Sequence, residues 1–307
     1  MTVLYVLGSG SRGNCFALES EGVILLVDAG FSAKEIERRA ESVGLALERL
    51  AAIALTHEHG DHACGAARLA QRFAVPVLTA PGTWARLGGD PGTAYLPIGL
   101  EYRVEVGPFR VEACPTSHDA AEPLAIVARD REGASVGVAY DLGRPTVAVR
   151  YLLRELSAIV LEANHDEVRL RTSGYPPAVQ RRIAGSGGHL SNRAAAELLA
   201  ELHHPGLSVV VLAHLSQRCN TAEEARAIVA PALRRVGFEG ALHVAEQDVP
   251  LAPIDVGAPG RAQLGLALGQ QAEGSPPTKP AYPDPEGPPP SRAAEWAGPP
   301  DRRSPAR

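Results

Sequence analysis

The chain has 307 residues, 45% of them hydrophobic, which provides enough apolar surface for one large packed domain or two modest ones. A net charge of −5 and a pI of about 6.1 exclude a global positive field, so nucleic-acid binding would have to come from a local patch. No apolar run approaches the roughly 20 residues that a membrane span requires, and no basic leader precedes the first apolar run, which together predict a cytoplasmic protein.

Short apolar runs separated by turn residues predict β-strands along the chain. They lie at 2–7, 14–20, 23–30, 51–57, 76–79, 102–106, 109–115, 124–130, 135–141, 157–163, 207–214 and 241–246. Amphipathic patterns predict helices at 32–43, 62–73, 146–155, 177–185, 191–202 and 221–235. Ser32, Ser191 and Thr221 are the predicted N-caps, and Glu224 follows Thr221 at the spacing of a capping box.

Several predicted strands end in a polar residue, as at Asp28, His57, Asp141, Glu162 and His214. Polar side chains at the carboxyl ends of buried strands are where α/β proteins place their sites. The strands also fall into two batches, each followed by helices, which predicts two sheets packed face to face with helices outside. We therefore predict an α/β fold, an αββα four-layer sandwich with its site along one rim.

The composition changes near Leu251. From Pro253 to the end the chain carries 13 of its 26 prolines, among Gly, Ala and Ser. Such a segment buries too little apolar surface to offset its ordering entropy, which predicts one folded domain over 1–251 and a disordered tail over 252–307. The proline-rich run could bind a polyproline-reading domain, but a solvated extension is the favoured interpretation. We expect removal of 252–307 to leave turnover unchanged.

The cysteines lie far apart and form no CxxC pair: Cys15, Cys64, Cys114 and Cys219. This spacing indicates neither a zinc ribbon nor a dense disulfide framework. We expect buried free thiols, and only Cys114, which lies shortly before His118, needs checking as an unexpected metal contact.

The run THEHGDHACG, at 56–65, places three histidines and an aspartate between an apolar strand and an amphipathic helix. Their imidazole and carboxylate groups are good ligands for zinc, manganese or iron. His57 and His59 can point into one concavity from an extended strand end, whereas Asp61 and His62 begin the helix and are offset toward a second point. That spacing favours two metal ions over one.

Three lone residues, His118, Asp141 and His214, each follow a predicted strand. A single histidine at a strand end is more often structural than a ligand. After the cluster at 57–62, however, each of the three becomes a candidate ligand, and the two oxygens of Asp141 could bridge two cations. The sequence therefore predicts two divalent metal ions, Zn²⁺ or Mn²⁺, with iron as a further candidate.

This pattern of histidines and aspartates resembles that of the metallo-β-lactamase superfamily. The runs LGSGSRGNC, LTHEHGDH, SHDAAEP, YDLG, LEANHD, GYPPAVQRRI, GHLSN and LAHLSQRCN, within 7–220, resemble those of its YycJ/WalJ-type group, also called VicX. The resemblance implies these ligands: one metal ion bound by His57, His59 and His118, the other by Asp61, His62 and His214, with Asp141 bridging both. His59 stands where flavin-linked diiron relatives carry Glu, which argues against oxygen chemistry.

The predicted chemistry is hydrolysis. A water between two cations loses much of its proton affinity, so metal-bound hydroxide is the expected nucleophile, and an oxygen of Asp61 can orient it. His189, on a Gly-rich loop, is not needed for the metal set and is the candidate general acid for the leaving group. The resemblance implies the same role, since tRNA-end-processing relatives use a histidine in a similar run. The alternative is a helix-entry histidine bonded to backbone.

Substrate contacts are predicted at Ser11, Arg12, Asn14, Asn192 and Arg218. The first three lie on a Gly-rich loop that could offer amides to a phosphate, or that forms only a tight turn. Arginines also crowd the segment with the later motifs: Arg169, Arg171, Arg181, Arg182, Arg193 and Arg218. Guanidinium groups bind phosphate bidentately, although a solvated helix face is the alternative.

Four residues are predicted to support the ligands from behind. Glu162, Asn164 and His165 are expected to hold ligand imidazoles, and Asp28 is expected to be a buried structural acid near the site. The predicted function is a dinuclear phosphodiester hydrolase, a nuclease acting on DNA or RNA ends. The alternatives are a hydrolase of small esters, thioesters or cyclic nucleotides, and a non-catalytic regulatory module stabilised by metal.

Overall fold

The computed structural model describes residues 1–89, 92–257 and 293–294. Two mixed β-sheets pack face to face, and helices cover the outer face of each sheet. The predicted αββα sandwich is therefore confirmed. None of the described helices combines the length and the apolar character that crossing a membrane requires.

The first sheet combines the first six strands of the chain with the strand at 254–256. Its strands are β1 (Thr2–Gly8), β2 (Cys15–Ser20), β3 (Val23–Val27), β4 (Leu50–Ala54), β5 (Val77–Thr79), β6 (Tyr95–Pro97) and β14 (Ile254–Val256). Their order across the sheet is β14-β1-β2-β3-β4-β5-β6. The pairs from β14 to β3 are antiparallel, and the pairs from β3 to β6 are parallel.

The second sheet also has an antiparallel part and a parallel part, with one further parallel pair at its edge. Its strands are β7 (Arg103–Val106), β8 (Phe109–Pro115), β9 (Leu124–Arg129), β10 (Ser135–Ala139), β11 (Ala158–Glu162), β12 (Val209–Ala213), β13 (Ala241–Val244) and β15 (Ala293–Ala294). The order is β13-β12-β11-β10-β9-β8-β7-β15. Strands β10 to β13 are parallel, so their carboxyl ends meet at one edge.

The helices lie outside the two sheets. They are α1 (Ala33–Ser42), α2 (Gly60–Ala63), α3 (Ala66–Phe73), α4 (Pro81–Arg86), α5 (Val147–Leu152), α6 (Glu167–Thr172), α7 (Pro177–Ile183), α8 (Asn192–Leu202) and α9 (Ala222–Arg235). The hydroxyls of Ser32, Ser191 and Thr221 each accept a backbone N–H three residues on, which confirms these N-caps. The predicted helix at 62–73 is instead two helices, α2 and α3, since the backbone breaks before Ala66.

The sandwich buries three apolar layers because strand side chains alternate between the two faces of a sheet. In β3, Leu25 and Val27 lie between the sheets, whereas Ile24 and Leu26 pack with the residues of α1 and α3. A third layer joins the outer face of the second sheet to α5, α8 and α9. The rigid pair of sheets leaves one rim for the polar residues that follow the strands.

The predicted boundary between the folded domain and the tail, after residue 251, is wrong because the first residues of the predicted tail belong to the first sheet. Ile254–Val256 pairs antiparallel with Thr2–Leu4, and both Ile254 and Val256 are buried. Proline content did not reveal this strand because a three-residue edge strand needs only two inward-facing apolar side chains. Of the predicted tail, 258–292 and 295–307 lie outside the described residues.

The four cysteines form no disulfide and are free. Cys15, Cys114 and Cys219 are buried as expected, but Cys64 is exposed at the end of α2, which corrects the expectation for that thiol. Cys114 lies in an apolar layer, where burial raises its pKa to about 12, and among the described residues it belongs to none of the clusters of side chains that could hold a metal ion.

Two truncations test the position of the boundary. A chain ending at Leu251 should be about 3 kcal/mol less stable than a chain ending at Gly257, because the two apolar side chains of β14 leave the core. Urea unfolding followed by circular dichroism measures the difference. Identical unfolding midpoints for the two truncated chains would contradict the assignment of β14 to the folded domain.

Candidate metal centre

The polar residues that end the strands meet at one rim of the sandwich. Asp28 follows β3 and His57 lies shortly after β4, both in the first sheet. Asp141 follows β10 and His214 follows β12, both in the second sheet. The parallel halves of the two sheets therefore supply the side chains of the site from opposite sides, as expected for the carboxyl ends of strands.

Three of these rim residues adopt a backbone conformation that is uncommon for non-glycine residues. The φ angles are 58° at Asp28, 54° at Asp141 and 56° at His214. Left-handed backbone at such residues costs of order 1–3 kcal/mol each and is tolerated where the surrounding structure requires it. Here each turn redirects the chain as it leaves a strand, so that the side chain enters the rim.

His57, His59 and His118 form the first group of nitrogen donors. His57 Nε2 lies 3.0 Å from His59 Nδ1, which in turn lies 3.3 Å from His118 Nε2. Two nitrogens bound at ~2.0–2.1 Å to one tetrahedral zinc ion lie about 3.3–3.4 Å apart. The spacing of the three nitrogens therefore fits shared coordination of one cation.

Asp61, His62 and His214 form the second group. Asp61 Oδ2 lies 3.4 Å from His62 Nε2 and 3.5 Å from His214 Nε2. His214 Nε2 is buried and has no hydrogen-bond partner in the described part of the chain. A buried nitrogen left without a partner is costly, so its position among oxygen and nitrogen donors fits a metal ligand.

Asp141 lies between the two groups, with each oxygen facing a different sheet. Its Oδ2 lies 2.8 Å from His62 Nε2 and 3.6 Å from His57 Nε2. Its Oδ1 lies 3.0 Å from His189 Nδ1 and 3.3 Å from His214 Nδ1. The side chain is only 3% exposed, so this carboxylate is buried among imidazoles and is placed to contact cations in both groups.

Asp28 fixes His62 from behind. Its Oδ2 accepts from His62 Nδ1 at 2.6 Å, from the Tyr140 hydroxyl at 2.6 Å and from the Thr56 hydroxyl at 2.8 Å. Its Oδ1 accepts from the Thr56 amide at 2.7 Å. A carboxylate bonded to Nδ1 sets the tautomer and the direction of the ring, which turns Nε2 of His62 toward Asp141 at the rim.

Glu162 plays the corresponding role in the second sheet. Its Oε1 lies 2.8 Å from His189 Nδ1 and 2.9 Å from His214 Nδ1, while Oε2 accepts the amides of Leu142 and Leu190. Burial would raise the pKa of Glu162, but His189 and His214 hold it at about 2. One ionised side chain therefore orients two histidines of the site.

The protonation of the histidines follows from their neighbours. Burial, and then the nearby imidazoles, lower the pKa of His57 well below its ordinary value, which keeps its ring neutral and able to bind metal. Burial acts in the same direction on His189, but Glu162 and Asp141 raise its pKa to about 10. In Tyr140, burial and the carboxylate of Asp28 raise the pKa, so the hydroxyl remains a donor.

The turn that carries the HxHxDH motif is held against the loop after β3. Backbone bonds link the Asn14 amide to Asp61 O and the Ala29 amide to His62 O. A Cβ placed on Gly30 would lie 1.7 Å from Asp61 O, so glycine is required where these segments meet. The side chain of Asn14 also bonds Asp61 O and lies 3.3 Å from His62 Nε2.

The residues predicted to contact substrate do not all lie at the cavity. Ser11 lines the cavity that the candidate donors also line (the metal cavity), but Arg12 does not line this cavity and pairs with Asp248 at 2.8 Å. Asn14 is fully buried and braces the loop, so it does not face a substrate. Asn192 is also buried, in a reciprocal amide pair with Asn220, which corrects its prediction as a substrate contact.

The predicted arginine cluster is largely engaged in other contacts. Arg169 pairs with Glu224 and Arg193 with Glu197, away from the rim. Arg218 donates to Ser173 O and lies over the ring of Tyr175, at 4.4 Å from its centroid. Arg182 lines the metal cavity and lies 3.2 Å from Asp119 Oδ2.

Asn164 and His165 are both predicted to hold ligand imidazoles, but neither bonds an imidazole of the site. Asn164 Nδ2 donates to His214 O at 2.9 Å, so it positions His214 through the backbone of that residue. His165 is buried, but its Nδ1 has no hydrogen-bond partner among the described residues, so it does not hold a ligand imidazole through that atom. Sequence reasoning missed Thr56 and Tyr140, although each directly precedes a predicted ligand.

The family model described as the metallo-β-lactamase superfamily matches residues 8–132. Exodeoxyribonuclease YycJ of Bacillus anthracis is 33% identical over 239 residues, covering 76% of this chain and 89% of that protein. Exodeoxyribonuclease WalJ of Streptococcus pneumoniae serotype 2 is 30% identical over 224 residues, covering 71% and 83% respectively. The metallo-β-lactamase fold protein YhfI from Bacillus subtilis superposes with a TM-score of 0.62 at 16% identity, covering 81% of this chain and 98% of that structure.

The chain therefore belongs to the metallo-β-lactamase superfamily and, within it, to the YycJ/WalJ-type group. The structural likeness to YhfI supports the fold, and the sequence likeness to the two exodeoxyribonucleases defines the group. Family and donor set together make the protein a metallohydrolase.

Replacing Asp28 with Asn should weaken metal binding about 10- to 100-fold, because the amide no longer fixes the Nδ1–H tautomer of His62. Competition with a fluorescent chelator measures the affinity. Asp130→Asn is the matched control, since Asp130 is a buried acid that bonds Thr2 and a turn instead of a histidine. Native metal affinity in Asp28→Asn would contradict the positioning role.

Proposed function

We propose that the protein is an exodeoxyribonuclease that holds two divalent cations, of zinc, manganese or iron, and hydrolyses phosphodiester bonds near DNA ends. Two relatives that this chain resembles over most of their length carry the name exodeoxyribonuclease. The donor atoms are nitrogen and oxygen, which all three metals accept. The site also contains a histidine beyond those needed as ligands.

The proposed ligands follow the two groups of donors. His57, His59 and His118 hold one cation, Asp61, His62 and His214 hold the other, and Asp141 contacts both. The chemistry that divalent cations supply at such a site is activation of water near neutral pH and stabilisation of charge on a phosphoryl oxygen. Asp28 and Glu162 keep the imidazoles in the orientation that this requires.

The observation that carries the proposal is the placement of His189. Its Nδ1 is bonded to Glu162 and lies against Asp141, so Nε2 is the nitrogen left to act on a substrate. The ring lines the same cavity as the metal donors and is 17% exposed. A histidine fixed in this way can donate a proton to the oxygen that leaves when a phosphodiester bond breaks.

The cavity itself suits a phosphate. Its volume is about 350 Å³, and metal donors from both groups line it, together with Ser11, Asp119, Tyr175 and Arg182. Asp61 is the more exposed carboxylate of the donor set, so one of its oxygens can also orient an attacking water. Arg182 is the basic side chain in this lining and can bind a non-bridging phosphate oxygen.

Substituting His189→Ala should lower the rate of DNA hydrolysis about 100- to 10,000-fold while the metal content stays native. Bis(p-nitrophenyl) phosphate should be affected much less, because p-nitrophenolate leaves without protonation. Rates on the two substrates, together with elemental analysis, separate acid catalysis from loss of the site. His243→Ala, on β13, is the control. An equal loss on both substrates would argue against His189 as the acid.

The substrate class is tested with end-labelled DNA, circular DNA, RNA and a small thioester. We expect stepwise release of nucleotides from linear DNA and no cleavage of the circle. Robust thioester hydrolysis with inert nucleic acid would favour the small-ester alternative instead. If His59→Ala and His189→Ala both preserve the cellular role of the protein, catalysis is not its function and the regulatory alternative holds.

A further inference from the structure

A second cavity adjoins the metal cavity across the ring of His189. It has a volume of about 530 Å³ and lies between α6, α7 and the start of α8. His189 lines both cavities, so a ligand bound at the metal donors and a ligand in the second cavity would contact the same ring. The volume is within the range of small-molecule binding sites.

The lining of the second cavity combines an apolar surface with positive charge. Its apolar part consists of Leu170, Pro177, Ala184, Leu190 and Ala194. Arg171 from α6 and Arg181 from α7 lie on it as well, against a single carboxylate, Glu167, whose Oε1 accepts the Ser191 hydroxyl. An apolar surface flanked by guanidinium groups suits a ligand with a flat ring and a phosphate.

Two observations distinguish this lining from an ordinary surface depression. His165 lines it while only 1% exposed, and its Nδ1 has no hydrogen-bond partner within 1–89 and 92–257. Arg171 and Arg181 form no ion pair with any described residue, whereas Arg169, Arg182 and Arg193 nearby each pair with an acid. His165 Nδ1 and the guanidinium groups of Arg171 and Arg181 are thus available to a ligand.

We propose that the second cavity binds the nucleotide next to the phosphodiester that is cleaved. Its base would lie on the apolar part, near His165, and its far phosphate would contact Arg171 and Arg181. This inference rests on the proposed function, because a nucleotide here presupposes a phosphate at the metal donors. The helices α6 and α7 would then recognise the nucleotide chain of the substrate. Inorganic phosphate, which has no base, does not require this recognition.

The test uses titration calorimetry on the metal-loaded protein, with thymidine 3′,5′-bisphosphate and inorganic phosphate as the two probes. The bisphosphate carries a base and two phosphates but no phosphodiester bond, so binding is read without turnover. We expect the native protein to bind it at least about tenfold more tightly than inorganic phosphate. Ala184→Trp, which fills the cavity, should abolish that preference.

Matched variants separate the cavity from the rest of the surface. Ala178→Trp lies on the same helix but lines neither cavity, and it should keep the native preference. The double variant Arg171→Ala, Arg181→Ala should weaken bisphosphate binding about tenfold and leave inorganic phosphate unaffected, whereas Arg193→Ala should change neither.

Either of two results would overturn the proposal: no preference for the bisphosphate in the native protein, or equal binding by the Ala184→Trp and Ala178→Trp variants. If Ala184→Trp does not fold, the double arginine variant, which alters only exposed side chains, decides the question by the same measurement. Failure of DNA hydrolysis would contradict the proposed function separately, since calorimetry does not depend on turnover.

Discussion

The carboxylate of Asp141 lies where the two halves of the sandwich contact each other at the rim. One oxygen faces His62 from the first sheet, and the other faces His189 and His214 from the second. Burying an ionised carboxylate is costly unless cations or strong donors surround it. Burial would raise the pKa of Asp141, but His214 and His62 hold it well below its ordinary value. The negative charge of Asp141 therefore stabilises the close approach of histidines from both sheets at the rim.

Two further buried carboxylates support the histidines from the side away from the rim. Asp28 and Glu162 both come from the carboxyl ends of strands, one in each sheet, and each binds the Nδ1 side of histidines that face the rim. Such bonds set ring direction and tautomer before any metal arrives. The positive φ angles at Asp28, Asp141 and His214 show that the backbone adopts an unfavourable conformation where it places these side chains at the rim. The site is thus pre-organised by the protein itself.

Much of this was predictable from sequence because the signals are local. The HxHxDH motif concentrates four donors in six residues, and strand periodicity places His118, Asp141 and His214 at strand exits. Contacts between residues that lie apart in the chain could not be predicted from local patterns. Thus β14 pairs with β1 across some 250 residues, Arg12 pairs with Asp248, and Asn192 pairs with Asn220. Short helices such as α4 and α6 were also missed, since six residues carry too little periodicity.

The central claim is that the donors of both sheets converge on a pair of cations. Elemental analysis of the purified, metal-replete protein, with protein concentration from amino-acid analysis, tests it most directly. We predict about two equivalents of divalent metal per chain. One equivalent or none, in protein whose circular dichroism shows a native fold, would contradict the paired site and the role assigned to Asp141.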